Sequence, residues 1–84
     1  MSYRVIIPKP VQKQLRELPP KVRSRLLAEI KLLADNPRPD GVKKLKGYED
    51  MYRIRVGSYR VIYEVEDGKM LVLVVSAVHR QSAY

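Results

Sequence analysis

With 84 residues and no cysteine, tryptophan or phenylalanine, the chain must build its core from aliphatic side chains and six tyrosines. Disulfide frameworks and thiolate metal sites are excluded, and a hydrophobic content of 45% argues for a globular rather than a disordered chain. The net charge of +8 points to a polyanionic partner, either nucleic acid or an acidic protein.

Length predicts one domain over residues 1–84, near the lower size at which a single core suffices. The opening MSYRVIIPKP carries only Val5-Ile6-Ile7 as an apolar run, too short for a secretory signal. The longest apolar run, Met70 to Val75, falls far below the roughly 20 residues of a membrane helix. A cytoplasmic protein without a membrane partner is expected.

Residues 3–7 read as a short strand, ended by Pro8 and Pro10, which suit a helical first turn. Val11, Leu15 and Leu18 then form one helical stripe. Pro19-Pro20 breaks that helix and starts another, with Val22, Leu26, Ile30 and Leu33 as its stripe, widened by Leu27 and Leu32. Lys21, Arg23, Arg25, Lys31 and Asp35 are predicted to face outward, and Asn36-Pro37 ends the helix. So short a turn makes the pair an antiparallel hairpin. Residues 38–50 read as a loop, with room for a short strand between Val42 and Lys46.

From Met51 the period changes to two. Tyr52, Ile54 and Val56 alternate with Arg53 and Arg55. Gly57-Ser58 is a two-residue turn of type II′, and Tyr59, Val61, Tyr63 and Val65 carry the alternation on. Asp67-Gly68 reads as a second tight turn, of type I′, leading into an apolar strand from Lys69 to Val78. The predicted fold class is α+β: an N-terminal strand, a two-helix hairpin, then a twisted, mainly antiparallel sheet of three to four strands.

The first turn sets a register in which Val56 faces Tyr59, Arg55 faces Arg60, Ile54 faces Val61, Arg53 faces Ile62 and Tyr52 faces Tyr63. One face is then apolar or aromatic and must pack on the helices. The other presents Arg53, Arg55 and Arg60 together. Like charges directly opposed across two strands destabilise a sheet, so a reason outside stability is needed. Phosphate binding supplies one, because guanidinium groups make paired, planar hydrogen bonds to it. The alternative is pairing with Glu64, Glu49, Asp50 or an acidic partner chain.

The second turn places position 77 opposite Ser58, with His79 and Arg80 just beyond, near Arg55 and Arg60. His79 reads equally as a structural residue or a proton carrier. Tyr84 can either reach back over this face or fray. This set suits RNA cleavage by the strand's own 2′-OH, which needs a base, an acid and cations around the phosphorane. Arginine stays protonated and serves as the charge stabiliser. His79, Tyr84 or Lys46 can carry protons. The acids are scattered, so no metal site is expected, and no nucleotide-binding motif or nucleophile elbow occurs, so no cofactor is expected.

The run LKGYEDMYRIRVGSYRVIYEV, followed by VVSAVHRQSAY, resembles the RelE/ParE toxin superfamily, and its RelE branch more closely. The resemblance covers nearly the whole chain. It implies the toxin of a type II toxin–antitoxin pair, with a helical hairpin on a twisted sheet. The implied activity is that of a ribosome-dependent endoribonuclease cutting mRNA in the A site. The implied catalytic residues are Arg53, Arg55, Arg60, Arg80 and Tyr84, and His79 joins them as a candidate from its place at the strand end. Lys43, Lys44 and Lys46 join Arg53 and Arg55 in RNA binding. The basic strand pair is arginine here where some relatives have lysine, which weakens a proton-carrying role for these two residues.

The implied partners are the ribosome, mRNA and a cognate antitoxin, with operator DNA reached only through the antitoxin complex. Ile62, Leu71 and Leu73 supply a physical reason for the antitoxin. With Val75, they fall on the arginine face if the helices cover only the other one, and an apolar patch beside like charges fits an acidic amphipathic helix. The alternative cover is the N-terminal strand or the 38–50 loop. Two other functions compete: a ParE-like inhibitor that acts by binding DNA gyrase, and a catalytically weak partner that binds antitoxin and DNA.

Overall fold

Proline sets where each helix begins. In the computed structural model, which describes residues 2–79, Pro8 caps α1 (Lys9–Arg16) and Pro19 caps α2 (Pro20–Leu32). A proline at the first positions costs no hydrogen bond, because those N–H groups have no partner inside the helix. Val11 and Leu15 of α1 and Leu26 and Ile30 of α2 are buried, and Leu33 follows them just past the end of α2. Leu32 departs from its expected place and is 58% exposed. It precedes the buried Leu33 by one residue, about 100° around the axis, and so points off the packed side. Arg23 is also corrected. It is half-buried and turns back to donate from Nη2 to Leu18 O at 3.2 Å and Arg16 O at 3.5 Å. It thereby caps carbonyls left over at the end of α1.

The strands are β1 (Arg4–Ile6), β2 (Lys43–Lys44), β3 (Met51–Val56), β4 (Tyr59–Glu66) and β5 (Leu71–His79). They form one five-stranded mixed sheet in the order β1-β5-β4-β3-β2. β1 runs parallel to β5, and the other pairs are antiparallel. The α+β arrangement expected from the sequence is present, with β1 and the two-residue β2 as its edges. The β3–β4 register is the expected one, from Val56 opposite Tyr59 to Tyr52 opposite Tyr63. Gly57 takes φ +62° at the first turn position, as a type II′ turn requires.

The β4–β5 connection departs from the expected tight turn. Asp67–Lys69 form a single 3-10 turn and Met70 adopts the left-handed region at φ 51°. Tertiary ties override the local preference. The Asp67 carboxylate is held by Arg38 and Tyr3, and Met70 O accepts from Arg4 N at 2.8 Å, docking β1. A bulge between Ile62 and Tyr63 shifts the register again, leaving Val75 unopposed and 45% exposed. Position 77 therefore faces Val61, not Ser58, and His79 faces Tyr59. Gln14 of α1 supports the strand beyond the bulge by accepting from Ala77 N at 3.1 Å.

The helices cover one face of the sheet only. Val11, Leu15, Leu26, Ile30 and Leu33 pack with Ile54, Val56, Val61, Tyr63, Val65, Val72, Val74 and Ala77 into one core. Tyr63 is fully buried, and its hydroxyl donates to Pro37 O at 2.7 Å. No helix among the described residues is long and apolar enough to cross a membrane.

Candidate functional site

Alternation along each strand decides what the uncovered face carries. Arg60, Ile62, Glu64 and Glu66 of β4 point away from the helices, because Val61, Tyr63 and Val65 point into the core. Across from them on β3 stand Arg55, Arg53 and Met51, and Lys43 of β2 stands opposite Arg53. On the β5 side the same face holds Val78 opposite Arg60, Ser76 opposite Ile62, Leu73 opposite Glu64 and Leu71 opposite Glu66. Arg4 and Ile6 of β1 extend it beside Leu71 and Leu73.

The face is therefore sorted by charge. Arg53, Arg55, Arg60 and Lys43 gather toward the Gly57-Ser58 hairpin, where no acid faces them in the strand register. Glu64 and Glu66 stand at the other end. They share a hydrogen bond, and that contact, with partial burial and the nearby charges of Glu66 and Asp50, raises the Glu64 pKa. Ile62, Leu71 and Leu73 lie between the two charged ends and are half-buried. β1 and β2 sit at the sheet edges and extend this face instead of lying over it.

At the acidic end the charges off this face are answered. Arg38 grips Asp67 with both terminal nitrogens, at 2.9 and 3.2 Å, and its Nε donates to the Tyr52 hydroxyl at 3.0 Å. Tyr3 donates to Asp67 Oδ1 at 2.6 Å. Donation from Arg38, then from Tyr3, holds the Asp67 carboxyl below its ordinary pKa. Donation to Asp67 raises that of Tyr3.

Several sequence expectations need to be placed. Arg53, Arg55 and Arg60 share the open face, and Lys43 joins them. The Arg55 side chain also borders a cleft at the free edge of β3, with Glu29, Leu32, Pro39 and Asp40. Lys44 pairs opposite Tyr52 and so belongs to the other face of the edge strand. Lys46 lies in the loop after β2, beside Lys43, Leu45, Tyr48 and Arg53 around a shallow depression.

His79 is corrected. The expected register put it near Arg55 and Arg60, but the bulge turns it to the helix side of the sheet. There its ring meets Tyr59 edge-on at 5.2 Å, near Gln14, Glu17 and Leu18. Arg80 and Tyr84 lie outside the described residues. Among the described residues, no cluster of three His, Asp or Glu is arranged to hold a metal ion.

Two residues escaped the sequence reading. Tyr48 is 61% exposed beside Lys43, Lys46 and Arg53, an aromatic face next to cations such as unpaired RNA bases use for stacking. Its signal was the aromatic in the GYED turn next to LKG. Arg25 brings Nη1 to within 3.3 Å of the point where a Cβ on Gly57 would stand. No sequence signal reveals that contact.

The family model for the ParE toxin of the type II toxin–antitoxin system parDE matches residues 5–84. The chain is 34% identical over 85 residues to toxin RelE3 of Methanocaldococcus jannaschii, covering 96% of this chain and 94% of that protein. It is 32% identical over 83 residues to the mRNA interferase toxin RelE of Escherichia coli, covering 96% of this chain and 86% of that protein. Among solved structures, the toxin in the archaeal RelE–RelB complex from Pyrococcus horikoshii superposes with a TM-score of 0.85 at 38% identity. That match covers 99% of this chain and 100% of the other.

Proposed function

The chain belongs to the RelE/ParE toxin superfamily, on its RelE branch, as a toxin of a toxin–antitoxin system, and from that premise we propose that it is a ribosome-dependent endoribonuclease cutting mRNA in the A site. One observation carries the reading. The open face sets Arg55 against Arg60, with Arg53 and Lys43 beside them, in a sheet that gains no stability from the crowding. The name of the E. coli relative supplies the reaction class, and this cluster supplies groups suited to it.

In the proposed reaction the 2′-OH loses its proton as its oxygen attacks the neighbouring phosphorus. The bond to the 5′-oxygen breaks, that oxygen gains a proton, and a 2′,3′-cyclic phosphate remains. Arg53, Arg55 and Arg60 hold the phosphate and stabilise charge on the phosphorane; being permanently protonated, they do not move protons. Proton transfer falls to Tyr84 or to groups supplied by the ribosome; Arg80 joins the charge stabilisers, and His79, on the helix side of the sheet, stays out of the scheme. Lys43 and Lys46 hold the RNA backbone, and Tyr48 stacks on a base; Lys44, on the other face of β2, stands apart from them. No metal or cofactor is required by this scheme. We take residues 1–84 as one domain, acting in the cytoplasm where ribosomes are found.

The partner is a cognate antitoxin, as in the RelE–RelB complex. Its acidic amphipathic helix is assigned to the patch of Ile62, Leu71 and Leu73, and operator DNA is reached only through that complex. A different reading follows from the ParE description of the matching family model: inhibition of DNA gyrase by binding. The two separate in vitro. The purified protein is expected to stop translation in a reconstituted system and to leave gyrase supercoiling unchanged; the reverse pattern would install the gyrase reading.

A further inference from the structure

The outer face of the helical layer is as one-sided in charge as the hairpin end of the open face of the sheet. On α1, Lys9, Lys13 and Arg16 follow at i, i+4 and i+7, all exposed, on the side opposite the buried Val11 and Leu15. On α2, Lys21 is also exposed, while Arg25 turns toward the β3–β4 hairpin beside Gly57 and stands apart from this face. Like charges at the α1 spacing destabilise a helix by a few tenths of a kcal/mol per pair. Neither helix has an acid in its first turn, where an acid would favour the macrodipole, and Lys9 and Lys21 stand there instead.

The acids are elsewhere. Asp35, Glu49, Asp50, Glu64, Glu66 and Asp67 collect toward the end of the molecule where β1 starts and β4 meets β5. The links there run from Ser2 to Asp35, from Val65 N to Asp50 O and from Tyr3 to Asp67. Glu17 is the one fully exposed acid on the helices, and Glu29 is half-buried. A face selected only for solubility would mix signs, and this one does not.

We propose that the stripe Lys9–Lys13–Arg16, continued by Lys21, is a second RNA-binding surface that grips the phosphate backbone of a double-stranded segment. It rests on the RNA-directed reading above but uses other residues. The stripe and the Arg53–Arg55–Arg60 cluster look in opposite directions, with the core between them. A single strand lying on the sheet face does not reach the helices, so the helical stripe takes a separate segment. The class of ligand follows from the side chains. They are cations without an aromatic neighbour, with Pro10 the one exposed apolar residue of α1, which suits a phosphate backbone and offers nothing to a base edge. About 10 Å of α1 separates Lys9 from Arg16, so its three cations lie along a line rather than in a pocket.

The test uses the full chain, a blunt RNA duplex and a short single strand, with affinities read by anisotropy over a salt series and without ribosomes. K13Q/R16Q is compared with R4Q/K69Q, which removes the same charge elsewhere, and circular dichroism melts confirm that each variant folds. K13Q/R16Q is expected to weaken duplex binding about tenfold or more and to lower the salt slope by about two, one per lost phosphate contact. Single-strand binding should stay within about twofold, and R4Q/K69Q should leave duplex binding nearly unchanged. Equal weakening by both double variants would mean long-range attraction only and overturn the assignment. Unchanged duplex binding by K13Q/R16Q would overturn it as well, as would binding of an acidic polypeptide, but not the duplex, at this stripe. A protein that binds duplex RNA through the stripe yet cuts no mRNA on ribosomes would refute the proposed activity and keep this surface.

Discussion

The two ends of the sheet handle charge in opposite ways. Where β4 turns into β5, Arg38, Asp67, Tyr3 and Tyr52 form a closed network, each strong donor meeting an acceptor. It ties together β1, the segment after α2, β3 and the turn, so removing any member loosens several elements. Toward the Gly57-Ser58 hairpin, arginine faces arginine across the ladder and lysine faces arginine at the edge. The first arrangement is what a small domain does to hold itself together. The second works against holding together and makes sense when a polyanion arrives.

This contrast predicts how each end responds to substitution. Arg60→Ala has the largest expected effect, a loss of about 10²–10³-fold in mRNA cleavage, the usual range for removing one charge-stabilising group. Arg60 lies outside the buried core, so the variant should still fold, as a circular dichroism melt would show; a variant that does not fold would show that Arg60 belongs with the structural end. Tyr48→Ala is expected to cost about 1–3 kcal/mol in RNA affinity, the range for one stacked base, while Tyr48→Phe keeps most of it. Equal losses in the two would point to the hydroxyl instead of the ring.

Asp67→Asn should lower the melting temperature and leave cleavage at the permissive temperature intact. Because the folded state depresses the Asp67 pKa, its contribution is present above the ordinary carboxylate range and disappears as pH falls through the depressed value. The melting temperatures of wild type and Asp67→Asn should therefore converge in acid. Glu64 has the opposite sign. Its folded pKa is raised, so the protonated form favours folding, and that contribution fades as pH rises through the raised value. Glu64→Gln should give the smallest change, a slight stabilisation at neutral pH that vanishes in acid. A melting temperature lowered by Glu64→Gln at neutral pH would contradict the shared-proton picture of the Glu64–Glu66 pair.

Local patterns carried most of the fold. Prolines marked both helix starts, and the alternation around Gly57-Ser58 gave the β3–β4 register residue by residue, including Arg55 opposite Arg60. What the sequence hid depended on distant partners. The Asp67-Gly68 pair has the composition of a tight turn, yet Arg38 and Tyr3, 29 and 64 residues away in sequence, hold Asp67 in a longer one. The bulge at Val75 has no marker in an unbroken apolar run; it puts His79 on the helix side, and with the longer turn it sets His79 opposite Tyr59. A one-residue insertion in a strand inverts every later side chain, so a site placed by counting from one turn fails past a bulge.

The most direct test of the open face as the cleaving site is primer extension on a defined mRNA in a purified translation system. Wild type and Arg60→Ala would be compared with and without ribosomes. Cuts that require ribosomes and disappear with Arg60→Ala are the predicted result. Cutting by Arg60→Ala at the wild-type rate, or no cutting by the wild type on ribosomes, would contradict it.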